Sequence, residues 1–234
     1  MHTRTHAAKG ADDRHFLPGM GHTWLLPLYD PFTRLVGIGR DHAALLDQAR
    51  IGPGDRVLEV GCGTGNLALR LKRRHPSVEV VGLDPDGPAL DRAVRKSRRA
   101  GLDIRWDRGF ADTLPYPDAT FQLVLSSMML HHLEADDRPA ALREIARVLV
   151  PGGALLVLDL GGGRDDNDGR MSRLLSHAPR LEDNLDDRVP AAMRAAGLVE
   201  AAETGHRVSR VMGRLTTWRA TAPALRDADA PAAP

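Results

Sequence analysis

The sequence predicts an α/β fold in which one parallel sheet is covered by helices on both faces. Short apolar runs of strand length alternate along the chain with segments whose apolar residues recur at helical spacing. A glycine-rich stretch directly follows the first apolar run. Because ligands of such sheets bind beyond the carboxyl ends of the strands, this stretch is the first place to look for a site.

The elements follow one another in a regular order. Strands are predicted at 56–60, 78–83, 103–107, 121–127 and 154–160. Helices are predicted from the glycine stretch to Arg74, from Asp86 to Gly101, from Asp137 to Leu149 and over 185–196. Asp86-Gly87-Pro88 supplies an N-cap and a proline in the first helical turn, and Pro151-Gly152-Gly153 is expected to end the third helix. The runs 198–209 and 213–221 are close enough in sequence to pair as an antiparallel hairpin.

Composition favours one globular domain in the cytoplasm. The chain has 234 residues, of which 42% are hydrophobic and 27% charged, and its formal net charge is +1. A single cysteine, Cys62, excludes an internal disulfide framework and disfavours a zinc site, so no metal is expected. The N-terminus lacks the apolar core of a signal peptide, and the most apolar segment, 153–160, is too short to span a bilayer. Residues 1–22 are predicted to be a flexible arm, 23–221 the domain and 222–234 a disordered tail.

The glycine stretch reads VLEVGCGTGNLAL over 57–69. Its three glycines, Gly61, Gly63 and Gly65, allow a tight turn and a close approach of the backbone to a ligand. The third glycine stands one position earlier than in the dinucleotide fingerprint G-x-G-x-x-G. Glu59, on the strand before the loop, would repel a pyrophosphate and attract an ammonium group. The loop therefore favours a ligand with a cationic end.

Asp84 ends the second predicted strand, where a carboxylate can accept hydrogen bonds from both hydroxyls of a ribose. The ligand should then carry an adenosyl-type ribose, no phosphate and a cationic amino-acid end. S-adenosylmethionine has all three. Cys62 is expected to be a small neutral residue of the loop rather than a reactive thiol.

The sequence resembles the class I S-adenosylmethionine-dependent methyltransferases, and within them the branch of ubiquinone and menaquinone biosynthesis. The matching stretches lie between Tyr29 and Thr221: YD (29–30), VLEVGCGTGNLA (57–68), VVGLDPD (80–86), ADTLPYPDATF (111–121), LSSMMLHHL (125–133), EIARVLVPGGALLVLD (144–159) and AAGL (195–198). The resemblance implies a Rossmann-like seven-stranded sheet of order 3-2-1-4-5-7-6, with strand 7 antiparallel and helices on both faces.

The resemblance also implies which residues bind the cofactor: Glu59, Gly61, Cys62, Gly63, Gly65, Asp84, Pro85, Phe110, Ala111, Asp112 and Ser126. Glu59 and the glycine loop would flank the methionine part, and Ser126 would lie near its amino-acid end. Asp84 would hold the ribose and Pro85 would lie beside the adenine, whose edge would face residues 110–112.

Two positions depart from the family pattern. Gly109-Phe110-Ala111-Asp112 replaces Gly-Asp-Ala, so that either Asp112 bonds the adenine amino group or Phe110 packs on the ring. Phe121-Gln122 replaces Phe-Asp, a change that we expect to be structural.

Methyl transfer is an in-line displacement, for which the protein mainly aligns the reactants. His131 and His132 follow strand 4 and are candidates for a general base, with His131 slightly favoured; the alternative is that the pair orders its loop. Tyr29, in an N-terminal lid segment at 23–50, is expected to close the pocket. The polar segment 161–184 is the other candidate for contact with the acceptor.

The leading interpretation is transfer of a methyl group to the O, N or C nucleophile of a small molecule, such as a quinone precursor or a secondary metabolite. An RNA or protein methyltransferase and a non-catalytic S-adenosylmethionine-binding regulator are the alternatives. The basic clusters at 70–75 and 92–100 lack interleaved aromatic residues, so we expect them to form solvated helix ends rather than a nucleic-acid site.

Overall fold

The computed structural model describes residues 6–7, 26–134, 137–161, 184, 187–209 and 211–224. Seven strands form the sheet: β1 Arg56–Val60, β2 Glu79–Asp84, β3 Arg105–Arg108, β4 Phe121–Ser127, β5 Leu149–Leu160, β6 Val199–Ser209 and β7 Gly213–Thr221. The α-helices are α1 Leu26–Leu35, α2 Ile38–Asp47, α3 Asn66–Arg74, α4 Gly87–Arg99, α5 Asp137–Val148 and α6 Arg188–Ala195. No helix in the described ranges is both long and apolar enough to cross a bilayer.

The strand order is 3-2-1-4-5-7-6, as predicted. Strands β1 to β5 pair in parallel, and β7 is antiparallel to both β5 and β6. A further two-residue strand, His6–Ala7, pairs in parallel with β3 at the outer edge and is left out of the numbering. The rest of the predicted arm at 1–22 and most of the predicted tail lie outside the described residues.

The core has two layers, one on each face of the sheet. On one face, apolar residues of the strands pack with Leu142 of α5 and Met193 of α6. On the other face, they pack with Leu45 of α2, Leu67 of α3 and Leu90 of α4. Since neighbouring residues of a strand point to opposite faces, both layers require strands that are apolar almost throughout.

The start of β5 differs from the prediction. Pro151-Gly152-Gly153 does not separate α5 from the strand, because β5 begins at Leu149, directly after the helix. The pairing with β4 shifts register between Phe121 and Leu123, which accommodates the extra residues as an irregularity. Ala222, directly after β7, pairs with the backbone of the two glycines. Gly152 N–H donates to Ala222 O at 3.1 Å, and Ala222 N–H donates to Gly153 O at 2.8 Å.

Gln122 has the structural role expected for it. Its side-chain oxygen accepts a hydrogen bond from Arg56 N–H at 2.8 Å and so joins the starts of β1 and β4. The predicted N-cap of α4 is also confirmed, because Asp86 Oδ1 accepts a hydrogen bond from Ala89 N–H at 3.1 Å.

Arg147 of α5 fastens the loop that joins β3 to β4. Its guanidinium donates to both carboxylate oxygens of Glu144 at 2.7 Å, to Asp118 at 2.7 Å and to the carbonyls of Tyr116 and Leu114 at 2.8 and 3.1 Å. Glu144 in turn accepts from Leu114 N–H at 2.8 Å. The loop is thus held by charge-assisted bonds rather than by regular structure.

Replacement of Arg147 by alanine should therefore lower the free energy of unfolding by about 1–3 kcal/mol, since several loop carbonyls lose their donor. Arg143→Ala is the matched control, because Arg143 lies exposed on the same helix and should change stability by less than about 0.5 kcal/mol. Urea denaturation of the two variants measures the difference. Equal losses would show that the guanidinium does not hold the loop.

Candidate active site

The glycine loop joins β1 to α3 at the carboxyl edge of the sheet. Gly61, Gly63 and Gly65 all have positive φ, at 73°, 50° and 76°. The N–H groups of Gly61 and Cys62 both donate to Leu83 O, at 2.9 and 3.1 Å, so the loop is anchored to the end of β2. The backbone conformation alone therefore favours glycine at these positions.

Packing distinguishes the three glycines. A Cβ on Gly61 would lie 2.3 Å from Met129 Cγ, and a Cβ on Gly65 would lie 2.4 Å from Trp106 Cη2. A Cβ on Gly63 would meet nothing within 4 Å. The interpretation that all three glycines clear space for a ligand is thus corrected: the protein itself fills the space at two of them, and only Gly63 borders open space.

Asp84 holds the loop and the next helix together. Its Oδ2 accepts from Gly63 N–H at 2.7 Å, and its Oδ1 accepts from Asp86 N–H at 2.9 Å. Burial raises the pKa of Asp84 to about 6, although these two hydrogen bonds act against the rise. A carboxylate has about four acceptor positions, so two remain for the hydroxyls of a ribose.

Glu59 is buried beneath the start of α3. Its Oε2 accepts from Ala68 N–H at 2.8 Å, at the positive end of the helix. Burial raises the pKa of Glu59 to about 8; the hydrogen bond from Ala68 lowers it in part, and the nearby charge of Asp84 adds to the rise. Without a cation beside it, this carboxyl is mostly protonated at neutral pH.

Cys62 and Ser126 are both buried. The Cys62 sulfur lies 3.0 Å from the position that a Cβ on Gly82 would take, within the core layer of Trp106. Burial raises the pKa of the Cys62 thiol well above its ordinary value, so its side chain packs and does not react. The Ser126 hydroxyl, on β4 beside Val60, has no hydrogen-bond partner among the described residues.

The residues predicted for the adenine side come together around the ends of β2 and β3. Arg108 Nε donates to Pro85 O at 3.1 Å and links the two strands there. Phe110, Ala111 and Asp112 follow β3 and are all partly exposed. Their contact with adenine stays a prediction, and so does the choice between Phe110 and Asp112.

An N-terminal contact was missed from the sequence. Asp30 of α1 accepts hydrogen bonds from Thr64 at 2.7 Å and Asn66 at 2.8 Å, and pairs with Lys96 at 2.9 Å. Burial raises the pKa of Asp30, but the hydrogen bonds from Lys96, Thr64 and Asn66 outweigh it and bring the pKa below 3.8. The YD motif signalled the place, but our prediction used Tyr29, whose side chain lies outside the description.

His131 lies in a short 3₁₀-helix, Leu130–His132, beyond the end of β4. The turn into it begins at Met128, whose φ of 58° is unusual for a residue with a side chain. Such a backbone costs on the order of 1–3 kcal/mol and is found mainly at functional sites. Here the turn brings Met129 against Gly61 and His131 against the end of β5.

His131 is paired with Asp159, which is fully buried at the end of β5. The distance from His131 Nδ1 to Asp159 Oδ1 is 2.5 Å. Burial raises the pKa of Asp159, but the charge of His131 and hydrogen bonds from His131 and Leu160 N–H outweigh it, so the pKa falls below 3.8. An ionised carboxylate can only accept, so His131 Nδ1 is the donor in this pair.

His132 stacks on His131 with ring centroids 4.1 Å apart, and its charge also lowers the pKa of Asp159. The 2.5 Å contact with Asp159 is made by His131. Asp159 was missed, although an acidic residue at the end of an otherwise apolar strand, LLVLDL, was a visible signal.

Comparison with known proteins identifies relatives of this chain. Residues 57–153 match the family described as "Methyltransferase domain". The chain is 39% identical over 138 residues to the demethylmenaquinone methyltransferase of Thermus thermophilus, covering 58% of this chain and 62% of that protein. It is 40% identical over 108 residues to the 27-O-demethylrifamycin SV methyltransferase of Amycolatopsis mediterranei, covering 45% and 39%.

Solved structures confirm the fold. The YcgJ protein of Bacillus subtilis superposes with a TM-score of 0.65 at 18% identity, over 79% of this chain and 99% of that one. The [4+2]-cyclase SpnF superposes with a TM-score of 0.64 at 23% identity, over 80% and 81%. At these identities, the similarity concerns the fold alone.

The predicted resemblance is therefore confirmed: residues 57–153 match a methyltransferase domain, and the chain is similar to methyltransferases of the quinone-biosynthesis branch. The chain spans 62%, 56% and 39% of the length of the first three curated relatives that it matches. The reaction of the protein as a whole is therefore a proposal.

The packing around the glycines predicts two different defects. Gly65→Ala should destabilise the fold by about 2–4 kcal/mol, because it combines a positive φ with a clash against Trp106. Gly63→Ala should cost only about 1 kcal/mol, yet it places a methyl group in the open space and should weaken S-adenosylmethionine binding about tenfold or more. Thermal denaturation and calorimetry measure the two effects, and unchanged affinity in Gly63→Ala would contradict the assignment of that space.

Proposed function

We propose that this protein transfers a methyl group from S-adenosylmethionine to a small-molecule acceptor, with His131 as the general base. The observation that carries the proposal is the His131–Asp159 pair, which lies at the ends of β4 and β5, the edge of the sheet that also carries the glycine loop. A base positioned there can act on an acceptor that must lose a proton.

The described residues fit the methyl donor. Gly63 borders open space, Asp84 retains acceptor positions for a ribose, and Glu59 would regain its charge beside an ammonium group. When bound, S-adenosylmethionine supplies an electrophilic methyl group on its sulfonium. The protein contributes the binding surface, the alignment and the base.

In the proposed reaction, His131 Nε2 takes a proton from the acceptor while the nucleophilic atom of the acceptor bonds to the methyl carbon. Asp159, held ionised by its hydrogen bonds, stabilises the imidazolium that forms and keeps the ring oriented. The acceptor thus gains a methyl group and loses one proton, and S-adenosylhomocysteine leaves.

For the acceptor, we propose a quinone precursor whose carbon nucleophile is acidified by a neighbouring hydroxyl group. Four of the curated relatives are named demethylmenaquinone or ubiquinone/menaquinone methyltransferases, at 34–39% identity. The name of the rifamycin methyltransferase makes an oxygen nucleophile on an aromatic secondary metabolite the second choice. Residues 162–183, which we expected to face the acceptor, lie outside the described residues.

The test is an assay with purified protein, S-adenosylmethionine and a short-chain demethylmenaquinone, with mass spectrometry of the products. A methylated quinone together with S-adenosylhomocysteine is the expected result. SpnF shares the fold and is named a cyclase, so the fold also occurs with another reaction. An acceptor that is rearranged without an increase in mass would show that this protein catalyses a reaction other than methyl transfer.

Separate substitutions of the two histidines should give unequal results. His131→Ala should lower kcat by about 100-fold or more, the usual contribution of a general base. His132→Ala should lower kcat by much less, because the 2.5 Å contact that orients a ring on Asp159 is made by His131. Asp159→Asn should lower kcat and alter its pH profile while S-adenosylmethionine still binds, since the ring loses its orientation. Full turnover in His131→Ala would exclude the base.

The raised pKa of Glu59 predicts that a proton is released when the cofactor binds. Its pKa of about 8 lies above its ordinary value, so it holds a proton at pH 7 that an incoming ammonium group would displace. The affinity for S-adenosylmethionine should therefore rise from pH 6 to pH 7.5, below the titration of an α-amino group at about 8. Calorimetry in two buffers of different ionisation enthalpy counts the protons. The Glu59→Gln variant should bind S-adenosylmethionine more weakly, and its affinity should no longer depend on pH. If the affinity of this variant still rose with pH as before, the titrating group would be Asp84.

A further inference from the structure

A cavity of about 780 Å³ lies among α1, α2, α3 and α4, on the outer side of the helices that follow β1 and β2. Six basic side chains line it: Arg34, Arg70, Arg73, Arg74, Lys96 and Arg99. They come from three helices that are far apart in sequence. The two basic clusters that the sequence places at separate helix ends therefore border one concave site.

The positive charge of this cavity is largely uncompensated. The one carboxylate among the lining residues that the structure describes, Asp30, is already engaged by Lys96, Thr64 and Asn66. Asp47 pairs with Arg74 at 2.6 Å. Among the described residues, no acidic side chain pairs with the four remaining guanidinium groups, those of Arg34, Arg70, Arg73 and Arg99.

The helix dipole explains only part of this arrangement. Cations are favoured in the last turn of a helix, where Arg73, Arg74 and Arg99 lie. Arg34 likewise lies in the last turn of α1 and Lys96 in the last turn of α4, whereas Arg70 lies before the last turn of α3. The spacings of three and four residues along α3 and α4 direct these side chains to one face of each helix, and both faces border the cavity.

We propose that this cavity is a binding site for a ligand with two or more phosphate groups. Guanidinium groups bind phosphate oxygens in a bidentate manner, and several of them around one cavity match several phosphates. The volume is that of a small-molecule site. Among the described lining residues, the only ring belongs to His42, which is buried and hydrogen-bonded to Ser127 at 3.0 Å. Because these described residues offer no surface for base stacking, they favour a phosphorylated small molecule or lipid headgroup over RNA.

The site is separate from the proposed methyl-transfer site and does not depend on that function. It nevertheless shares Asp30, Asn66 and Lys96 with the network that binds Thr64 of the glycine loop. A phosphate that attracts Lys96 therefore acts on a contact of that loop. By thermodynamic linkage, any effect of the phosphate ligand on S-adenosylmethionine affinity must be matched by an equal effect in the other direction.

The experiment is calorimetric titration of the full chain with inorganic diphosphate at constant ionic strength. The test variant carries Arg70→Ala, Arg73→Ala and Arg99→Ala. The control carries Arg40→Ala, Arg95→Ala and Arg98→Ala, which remove the same charge from exposed positions on α2 and α4 that do not line the cavity. We expect the test variant to lose at least tenfold in affinity and the control to bind like the unmodified protein. Circular dichroism checks that both variants are folded.

Two further titrations identify the source of the phosphate. Vesicles of phosphatidylglycerol and phosphatidylcholine in equal parts test a lipid headgroup, with pure phosphatidylcholine as reference. Cavity-dependent binding to either diphosphate or the anionic vesicles supports the site and names its source. Equal binding by the two triple variants, or no binding of either probe, would overturn it. So would a single-stranded RNA oligomer that binds through the same arginines more tightly than diphosphate.

Discussion

The position of Trp106 is the constraint on which the rest of the site depends. Its indole is fully buried, crosses the face of β2 at Gly82 and lies directly under Gly65. Its Nε1 donates to Ser97 of α4 at 3.2 Å, which fixes the ring against the helix. With Met129 filling the space at Gly61, the glycine loop is shaped by contacts inside the protein. A loop that is already formed loses little entropy when a ligand arrives, so it can bind through its backbone without first being ordered.

Three carboxyl groups around this loop differ in how far neighbouring donors and cations offset the cost of burying their charge. Asp30 is offset by Lys96 and two further donors, and its pKa falls; Glu59 and Asp84 have backbone donors only, and their pKa values rise. Burial therefore disfavours the ionised form of Glu59 and Asp84, and a cationic ligand with hydroxyl groups would stabilise that form. Asp30 has enough partners within the protein to be a structural group. Among the described residues, Glu59 and Asp84 lack a paired cation, as expected for groups that bind a ligand.

The sequence predicted a parallel sheet and a terminal antiparallel hairpin from its alternation of apolar runs and helical periodicity, and its resemblance to the class I methyltransferases implied the strand order that the structure has. It failed at the start of β5, where hydrogen bonds to Ala222 keep a Pro-Gly-Gly stretch within the strand. At the site, local motifs identified Glu59, Asp84 and the loop. They could not identify Asp30 or Asp159, because the function of each depends on a partner that is distant in sequence and is brought near only by folding.

The His131–Asp159 pair shows how the same scaffold can accommodate a particular chemistry. The proposed methyl-donor side is built from β1, β2 and α3, whereas the proposed base depends on β4, β5 and the left-handed turn at Met128. These two parts meet at Gly61, against which Met129 packs. A substitution at the ends of β4 and β5 can therefore change the reaction without disturbing the donor side. Because SpnF has the same fold and is named for a different reaction, the chemistry of this chain has to be argued from its histidine and aspartate and not from its sheet.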